Sequence, residues 1–459
     1  MKKDNSFLAT EPVGKLLFKL AIPTITAQII NMLYNIVDRI FIGHIPEHGD
    51  LALTGVGVCL PLILFVSAFA ALFCGSGAPR ASISMGKGDN DTAEKIMGSC
   101  FSVQLIVGFI STAVLLIWSK DLLLLFGASE NTIEYAVSYM NIYAVGTVFV
   151  QLTLGINAYI TAQGFTGMSM TIVMIGAILN LILDPLFIFA FNLGVRGAAL
   201  ATVISQFVSC IAVLMFVCGK KSILRLKKAT LRIDPRLALS AMSLGIAPFV
   251  MQSSESIISV CFNSSLLKYG GDVAVGAMTI LSSIMQFAML PLHGLGNGSQ
   301  PICSYNYGAK NPDRIKRLFK ILLITSLIYS FTLWGAIMFF PRAFASIFTS
   351  NAELLSFTAS VLPIYCGVLC IFGAQIACQS TFVSLGKASC SVLVAVMRKF
   401  ILLIPLIYIM PLIMENKTIA VYAAEPVTDI LAVSFTVILF AVHFRKTLRS
   451  ISNNTDSRN

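Results

Sequence analysis

Residues 20–43 read LAIPTITAQIINMLYNIVDRIFIG, an apolar run longer than the roughly 20 residues that a helix needs to cross a bilayer. Gln28, Asn31, Asn35 and Asp38 interrupt the run at helical spacing, so they share one helix face. An acid and three amides at membrane depth are costly unless they face protein or water. The stretch therefore predicts a membrane helix whose polar face is turned inward.

Similar apolar runs recur along the whole chain. Hydrophobic residues make up 57% of the sequence and charged residues only 12%, whereas a soluble domain carries about 25% charge. We predict an all-α polytopic membrane protein with twelve transmembrane helices. The predicted spans lie near residues 16–42, 51–78, 96–118, 132–161, 167–191, 197–218, 237–267, 273–300, 318–340, 354–383, 388–413 and 419–443.

The basic residues predict the orientation. With twelve spans, 24 Lys and Arg residues fall on one side of the membrane and six on the other. The richer side is normally cytoplasmic, so we expect both termini in the cytoplasm of a bacterial cell with an inner-membrane location. The net charge of +11 then reflects contact with membrane lipids and not a nucleic-acid partner.

The sequence contains an internal repeat. A shift of about 222 residues aligns Asp50 with Asp272, and Gly86 with Gly308. Six spans in each half make the repeats parallel, an arrangement known among secondary transporters. We predict an N-terminal six-helix bundle at 1–218, a basic cytoplasmic linker at 219–236 and a C-terminal bundle with a short tail at 237–459.

Both halves carry polar stripes that could line a wet central cavity between the bundles. On the seventh span, Gln252, Glu255, Ser259 and Asn263 repeat the stripe of the first span. Each half would then turn one polar face toward the other. The predicted substrate cavity is lined by Gln28, Asn31, Asn35, Gln252, Glu255 and Ser259.

A second polar group is predicted inside the first half. Asn180 and Asp184 lie four residues apart on the fifth span, with Asn157 on the fourth and Thr202 on the sixth. A carboxyl group that alternates between a dry pocket and water could take up and release a proton, and the same oxygens could bind a monovalent cation. The predicted cation-coupling residues are Asp38, Asp184, Asn180, Asn157 and Thr202.

Two basic residues, Arg398 and Lys399, fall inside the eleventh span. Cations at membrane depth need acidic partners, and Glu255, Glu425 or Asp429 could supply them. A structural ion pair is the interpretation that we favour over a binding role.

Several function classes are disfavoured by the sequence. There is no His-Glu-x-x-His or Gly-x-Ser-x-Gly motif and no complete P-loop, which argues against an enzyme and against ATP-driven transport by this chain alone. The eleven cysteines lie in or beside apolar stretches without Cys-x-x-Cys spacing, so no metal centre or cofactor is expected beyond the coupling ion, H⁺ or Na⁺.

Four motifs resemble those of the multidrug and toxic compound extrusion (MATE) family, with the closest likeness to its bacterial MepA-like branch. They are LAIPTITAQIINMLYNIVDRIFIG, LNLILDPLFIF, GVRGAALATVISQ and AEPVTDIL. The resemblance implies a V-shaped pair of six-helix bundles that exports organic cations and amphiphilic drugs in exchange for H⁺ or Na⁺. It also implies that Asp38 matches the family's acid on the first helix, and that Asn180 with Asp184 matches its cluster on the fifth.

The resemblance leaves an alternative and one departure. Gln375 stands on the tenth span where some members have an acid, so we expect coupling through Asp38 and Asp184 in the first half. A lipid-linked oligosaccharide flippase shares the architecture, but we expect it to present cations to a pyrophosphate, whereas here five acids face two bases at membrane depth. We expect a monomeric exporter.

Overall fold

The computed structural model describes residues 5–46 and 49–456, and every regular element in that part of the chain is helical. Ten of its helices are long and apolar enough to cross a membrane, and a pair bent by 53° adds an eleventh. One helix contains a break that makes it two spans. We number the resulting twelve spanning helices α1 to α12 in chain order.

The first half contains six spanning helices. Their lengths follow from the apolar runs, but several extend past the predicted spans because a helix can continue beyond the hydrocarbon layer. They are α1 (Val13–Gly43), α2 (Gly49–Gly86), α3 (Asn90–Leu125), α4 (Ile133–Ala162), α5 (Thr166–Ala190) and α6 (Val195–Cys218).

The second half begins with the continuous element Pro235–Gly308. Its 74 residues would measure about 110 Å as one helix, against a hydrocarbon core of about 30 Å. Gly271 breaks it, with φ of 64° and ψ of −163°, a backbone conformation that glycine tolerates. The break separates α7 (235–270) from α8 (272–308).

The remaining helices complete the second six. The bend within α10 falls between its two segments, after Tyr365. They are α9 (Pro312–Phe339), α10 (Ala352–Tyr365 with Leu369–Ser384), α11 (Ala388–Ile413) and α12 (Lys417–Asp456). The predicted fold class of twelve helices in two parallel six-helix repeats is confirmed.

The connection between the halves lies between Cys218 and Pro235, close to the predicted linker. It is fixed against the first half. The Gln163 side-chain oxygen accepts hydrogen bonds from the backbone N–H groups of Ile223 and Leu224, at 2.8 and 3.0 Å. Glu94 pairs with Lys227. We call the end of the molecule that carries this connection the linker end.

The two halves contact each other toward the linker end. Thr24 on α1 donates a hydrogen bond to the Gly294 carbonyl on α8 at 2.7 Å, and Ser82 on α2 donates to the Pro301 carbonyl at 3.4 Å. Gly86 lies against Tyr305, so closely that a side chain there would overlap the Tyr305 backbone. The helices of the two halves are therefore packed together where the chain crosses between them.

Candidate functional site

The polar stripe of α1 faces the space between the two halves. Thr24, which contacts the second half, lies on the same helix face as Gln28, Asn31 and Asn35. Asn31 and Asn35 are exposed, and Gln28 is half-buried. This face of α1 is packed against the second half near Thr24 and is exposed at Asn31 and Asn35. The exposure indicates a cleft between the halves that widens away from the linker end.

The stripe of α7 forms the opposite wall. Phe249 stacks on Phe69 of the first half, with ring centroids 5.5 Å apart. One turn and more beyond that contact, Gln252, Glu255 and Ser259 are exposed. The six predicted cavity residues therefore lie on α1 and α7, at exposed or half-buried positions beyond the contacts that Thr24 and Phe249 make with the other half.

The first half holds a pair of carboxyl groups. Asp38 on α1 and Asp184 on α5 contact each other through their side chains and are 9% and 1% exposed. The Asn180 amide donates hydrogen bonds to Asp184 at 3.2 Å and to the Thr202 hydroxyl at 3.5 Å. A carboxylate only accepts hydrogen bonds, so a stable contact between two of them requires a proton or a cation between the oxygens.

Asp38, Asp184 and Thr202 can meet because they lie at a similar depth along their membrane-spanning helices. Asp38 is five residues from the end of α1, Asp184 six residues from the end of α5, and Thr202 seven residues from the start of α6. All three helix ends point away from the linker end. Asp184 precedes Pro185, after which the helix continues as a wider π-helical turn, Leu186–Ala190, a local distortion that is frequent at functional sites.

Asn157 does not join this group. It lies five residues before the end of α4, at the linker end, whereas Asp184 lies 18 residues after the start of α5. At about 1.5 Å of rise per residue the two are separated by roughly 20 Å along the helices. Its side-chain oxygen is buried with no hydrogen-bond partner in the described part of the chain.

Tyrosines complete the carboxyl site, and sequence reasoning missed them. Tyr34 lies near the Asn35 and Gln206 side chains, and Tyr139 lies near Thr202 and Asp38. In the sequence these rings look like ordinary packing residues. The spacing of Tyr34 and Asp38, four residues apart on one helix, was the available signal.

The second half contains a cluster of five charged groups. Arg398 pairs with Glu425 at 2.8 Å and with Asp429 at 2.9 Å, and these three residues are buried. Lys399 pairs with Glu255 at 2.7 Å. The pairing expected from the sequence is present, with each of the three proposed acids taking part. Because Glu255 is 57% exposed at its side chain, only one end of the cluster reaches the cleft.

His293 on α8 lies close to both Glu255 and Lys399, and it too was missed. It is exposed to the cleft, although its neighbours Leu292 and Gly294 are buried. Gln375 on α10 is buried, and its side-chain oxygen has no hydrogen-bond partner among the described residues. Across residues 5–46 and 49–456, no group of three or more His, Cys, Asp and Glu side chains could hold a metal ion.

The family comparison supports both the fold and the repeat. The MatE family model matches residues 23–186 and again residues 246–409. The two matched stretches begin 223 residues apart, close to the internal shift found in the sequence. Together they cover more than half of the chain.

Curated relatives and solved structures agree with this match. The multidrug export protein MepA of Staphylococcus aureus (strain NCTC 8325 / PS 47) is 23% identical over 406 residues, which is 88% of each chain. A MATE structure in the bent conformation superposes with a TM-score of 0.91 at 19% identity, covering 98% of this chain and 100% of the other. An outward-facing multidrug resistance MATE transporter of the MOP superfamily gives 0.88 at 20% identity, covering 99% and 100%.

Proposed function

Because the chain belongs to the MatE family, we propose that it is a secondary active exporter of organic cations and amphiphilic drugs, driven by exchange for H⁺ or Na⁺. Its helices make it a multi-pass protein of a bacterial membrane. The observation that carries the proposal is the contact between Asp38 and Asp184 inside the first half, beside a cleft lined by both halves.

The carboxyl pair supports ion coupling. Two adjacent carboxylates repel each other, and a proton or Na⁺ between them removes that repulsion. When the halves change their relative position, the pair would be exposed to a different side of the membrane and would release the ion there. Asn180 and Thr202 contribute further oxygen atoms at the same depth, which suits a monovalent cation as well as a proton.

The cleft suits a cationic and partly apolar cargo. Glu255 uses one carboxylate oxygen for Lys399, and because its side chain is exposed, a cationic cargo could reach the other oxygen. The stacked Phe69 and Phe249 rings offer an apolar and polarisable surface to a flat molecule. Amide and hydroxyl groups along α1 and α7 can adapt their hydrogen bonds to different drugs.

The charge cluster argues against the flippase alternative. A pyrophosphate would need cations that face the cleft, but Arg398 is buried and neutralised by two acids, and Lys399 is paired with Glu255. With His293 neutral, three acids and two bases leave this cluster one negative charge. That balance favours a positively charged cargo.

We further propose that both termini are cytoplasmic and that the membrane is the inner, cytoplasmic membrane. The linker end carries most of the basic residues, and this asymmetry favours the cytoplasmic side. On that assignment the halves are closed toward the cytoplasm and the cleft opens outward. The proposal includes a monomer in contact with membrane lipids, with no cofactor other than the coupling ion and no nucleic-acid partner.

The test is ethidium efflux from vesicles that contain the purified protein. A pH gradient and a sodium gradient are imposed in separate experiments, with protein-free vesicles as the control. We expect one of the two gradients to drive efflux. If neither gradient does so, the drug-export proposal loses its support.

A further inference from the structure

The segment before α1 lies across the closed linker end. Residues 5–11, which we call the latch segment, include the short helix Phe7–Thr10. A four-residue helix has too few hydrogen bonds to be stable alone, so contacts with the rest of the protein must hold it. Leu8 is fully buried and Asn5 is 4% exposed, so the segment around this short helix is packed against the protein.

The latch segment is bound to the second half by directed hydrogen bonds. The Asn306 amide on α8 donates to the Leu8 carbonyl at 2.9 Å. The Arg314 guanidinium on α9 donates to the carbonyls of Leu8, at 3.2 Å, and Glu11, at 2.7 Å. The Leu8 side chain joins an apolar cluster with Ile302 and other residues of the second half.

The same segment also contacts the first half, but more weakly. The Asn5 amide donates to the Met85 sulfur on α2 at 3.2 Å. The Phe7 ring packs on Gly164, in the turn between α4 and α5, where a side chain would overlap the ring. Sulfur is a weak acceptor, and the Phe7 contact is apolar.

We propose that residues 5–11 form a latch that holds the two halves together at the linker end. In the outward-open state the segment bridges Met85 and Gly164 on one side to Asn306 and Arg314 on the other. Opening of the linker end requires one of these two sets of contacts to break. Since the hydrogen bonds to Asn306 and Arg314 include a charged donor, the latch remains on the second half and parts from Met85 and Gly164.

This arrangement gives the latch a specific role in the transport cycle. A contact that exists in only one of two states shifts the population toward that state. The latch therefore favours the conformation that is closed at the linker end, in which the coupling ion can bind. The inference rests on the proposed alternation between two states.

Hydrogen exchange of the whole chain in lipid nanodiscs tests the latch without any cargo. Phe7→Ala removes the contact with Gly164, and Arg314→Ala removes the donors to Leu8 and Glu11. Loss of about 1 kcal/mol of net contact energy corresponds to about fivefold faster exchange in peptides covering 80–90 and 300–312. Peptides covering 126–134, at the opposite end, serve as the internal reference and should exchange as in the wild type.

Ser6→Ala is the matched control, because Ser6 is exposed within the same segment. It should exchange as the wild type does. Wild-type exchange in both Phe7→Ala and Arg314→Ala would show that the linker end stays closed without the latch, and the inference would be wrong. Faster exchange along the whole chain in both variants would make the segment part of the folded core, which also overturns it. Either failure is independent of the ethidium assay, which tests export itself.

Discussion

In the proposed mechanism, Asp184 is the residue whose chemistry matters most for ion coupling. Asp184→Asn keeps the size of the side chain and an oxygen that can accept from Asn180, so we expect the fold to be retained. The amide cannot exchange a proton and binds cations less strongly than a carboxylate does. We predict that gradient-driven ethidium efflux falls to the level of protein-free vesicles.

The matched control is Asp313→Asn, which removes an acid whose side chain is 89% exposed and that pairs with Lys316 at 3.5 Å. Exposed pairs of this kind contribute about 0–1 kcal/mol, so its efflux should equal that of the wild type. Wild-type efflux in Asp184→Asn would remove this residue from the mechanism.

Arg398 makes a different kind of contribution, to stability. Arg398→Met would leave Glu425 and Asp429 buried without a cation, and breaking a buried ion pair in this way costs about 3–5 kcal/mol. We predict a marked loss of thermal stability, measured by the unfolding temperature in detergent. Lys399→Met is the comparison variant. Its effect should be smaller because Glu255 is largely exposed and water can replace the lost cation.

Among the helices, α8 depends on small residues where the halves meet. Gly298 packs on the Ala21 backbone of α1, so closely that a Cβ would overlap it. Gly298→Val should keep α1 and α8 apart and prevent the linker end from closing. We predict loss of ethidium efflux with normal yield of folded protein, measured by size-exclusion chromatography.

Gly335→Val on α9 is the control for that prediction. A Cβ at Gly335 meets no atom within 4 Å, so the substitution tests only the change from glycine to a branched residue in a helix. Efflux should remain at the wild-type level. Equal efflux in both variants would mean that close contact of α1 with α8 is not needed in the transport cycle.

The helices were predictable from the sequence because lipid requires long uninterrupted apolar runs. The runs do not reveal where a helix continues outside the hydrocarbon layer. The second span was predicted to end at 78, but α2 extends to Gly86, whose lack of a side chain allows contact with Tyr305. Contacts with the second half stabilise that extension. The hydrophobic pattern of a single helix carries no information about such contacts.

The site was predictable only in part for the same reason. Asp38, Asn180, Asp184 and Thr202 are polar residues inside predicted membrane spans. Placing such residues in lipid costs free energy, so they could be identified as candidate site residues from the sequence. Asn157 is polar as well, but it lies near the linker end of its helix, whereas the other four lie near the opposite end. Sequence spacing does not give the relative depth of residues on different helices. The three acids near Arg398 and Lys399 were identified as partners, while their assignment to each base needed the packing of α7, α11 and α12.

The orientation of the whole molecule determines the direction of transport. The linker is exposed at several basic residues although Glu94 and Gln163 hold its backbone. If this end is cytoplasmic, Lys228→Cys in a Cys218→Ser background should not react with an impermeant maleimide added to intact cells. Lys120→Cys, at the opposite end of the molecule, should react.

Labelling after the cells are opened provides the internal control, because both cysteines should then react. The reverse pattern, with Lys228→Cys labelled from outside and Lys120→Cys protected, would place the linker end outside. The cleft would then open toward the cytoplasm, and the structure would represent the state that loads cargo. The first pattern is the expected one because 24 basic residues lie on the linker side of the membrane and six on the other. Segments rich in Lys and Arg normally stay in the cytoplasm.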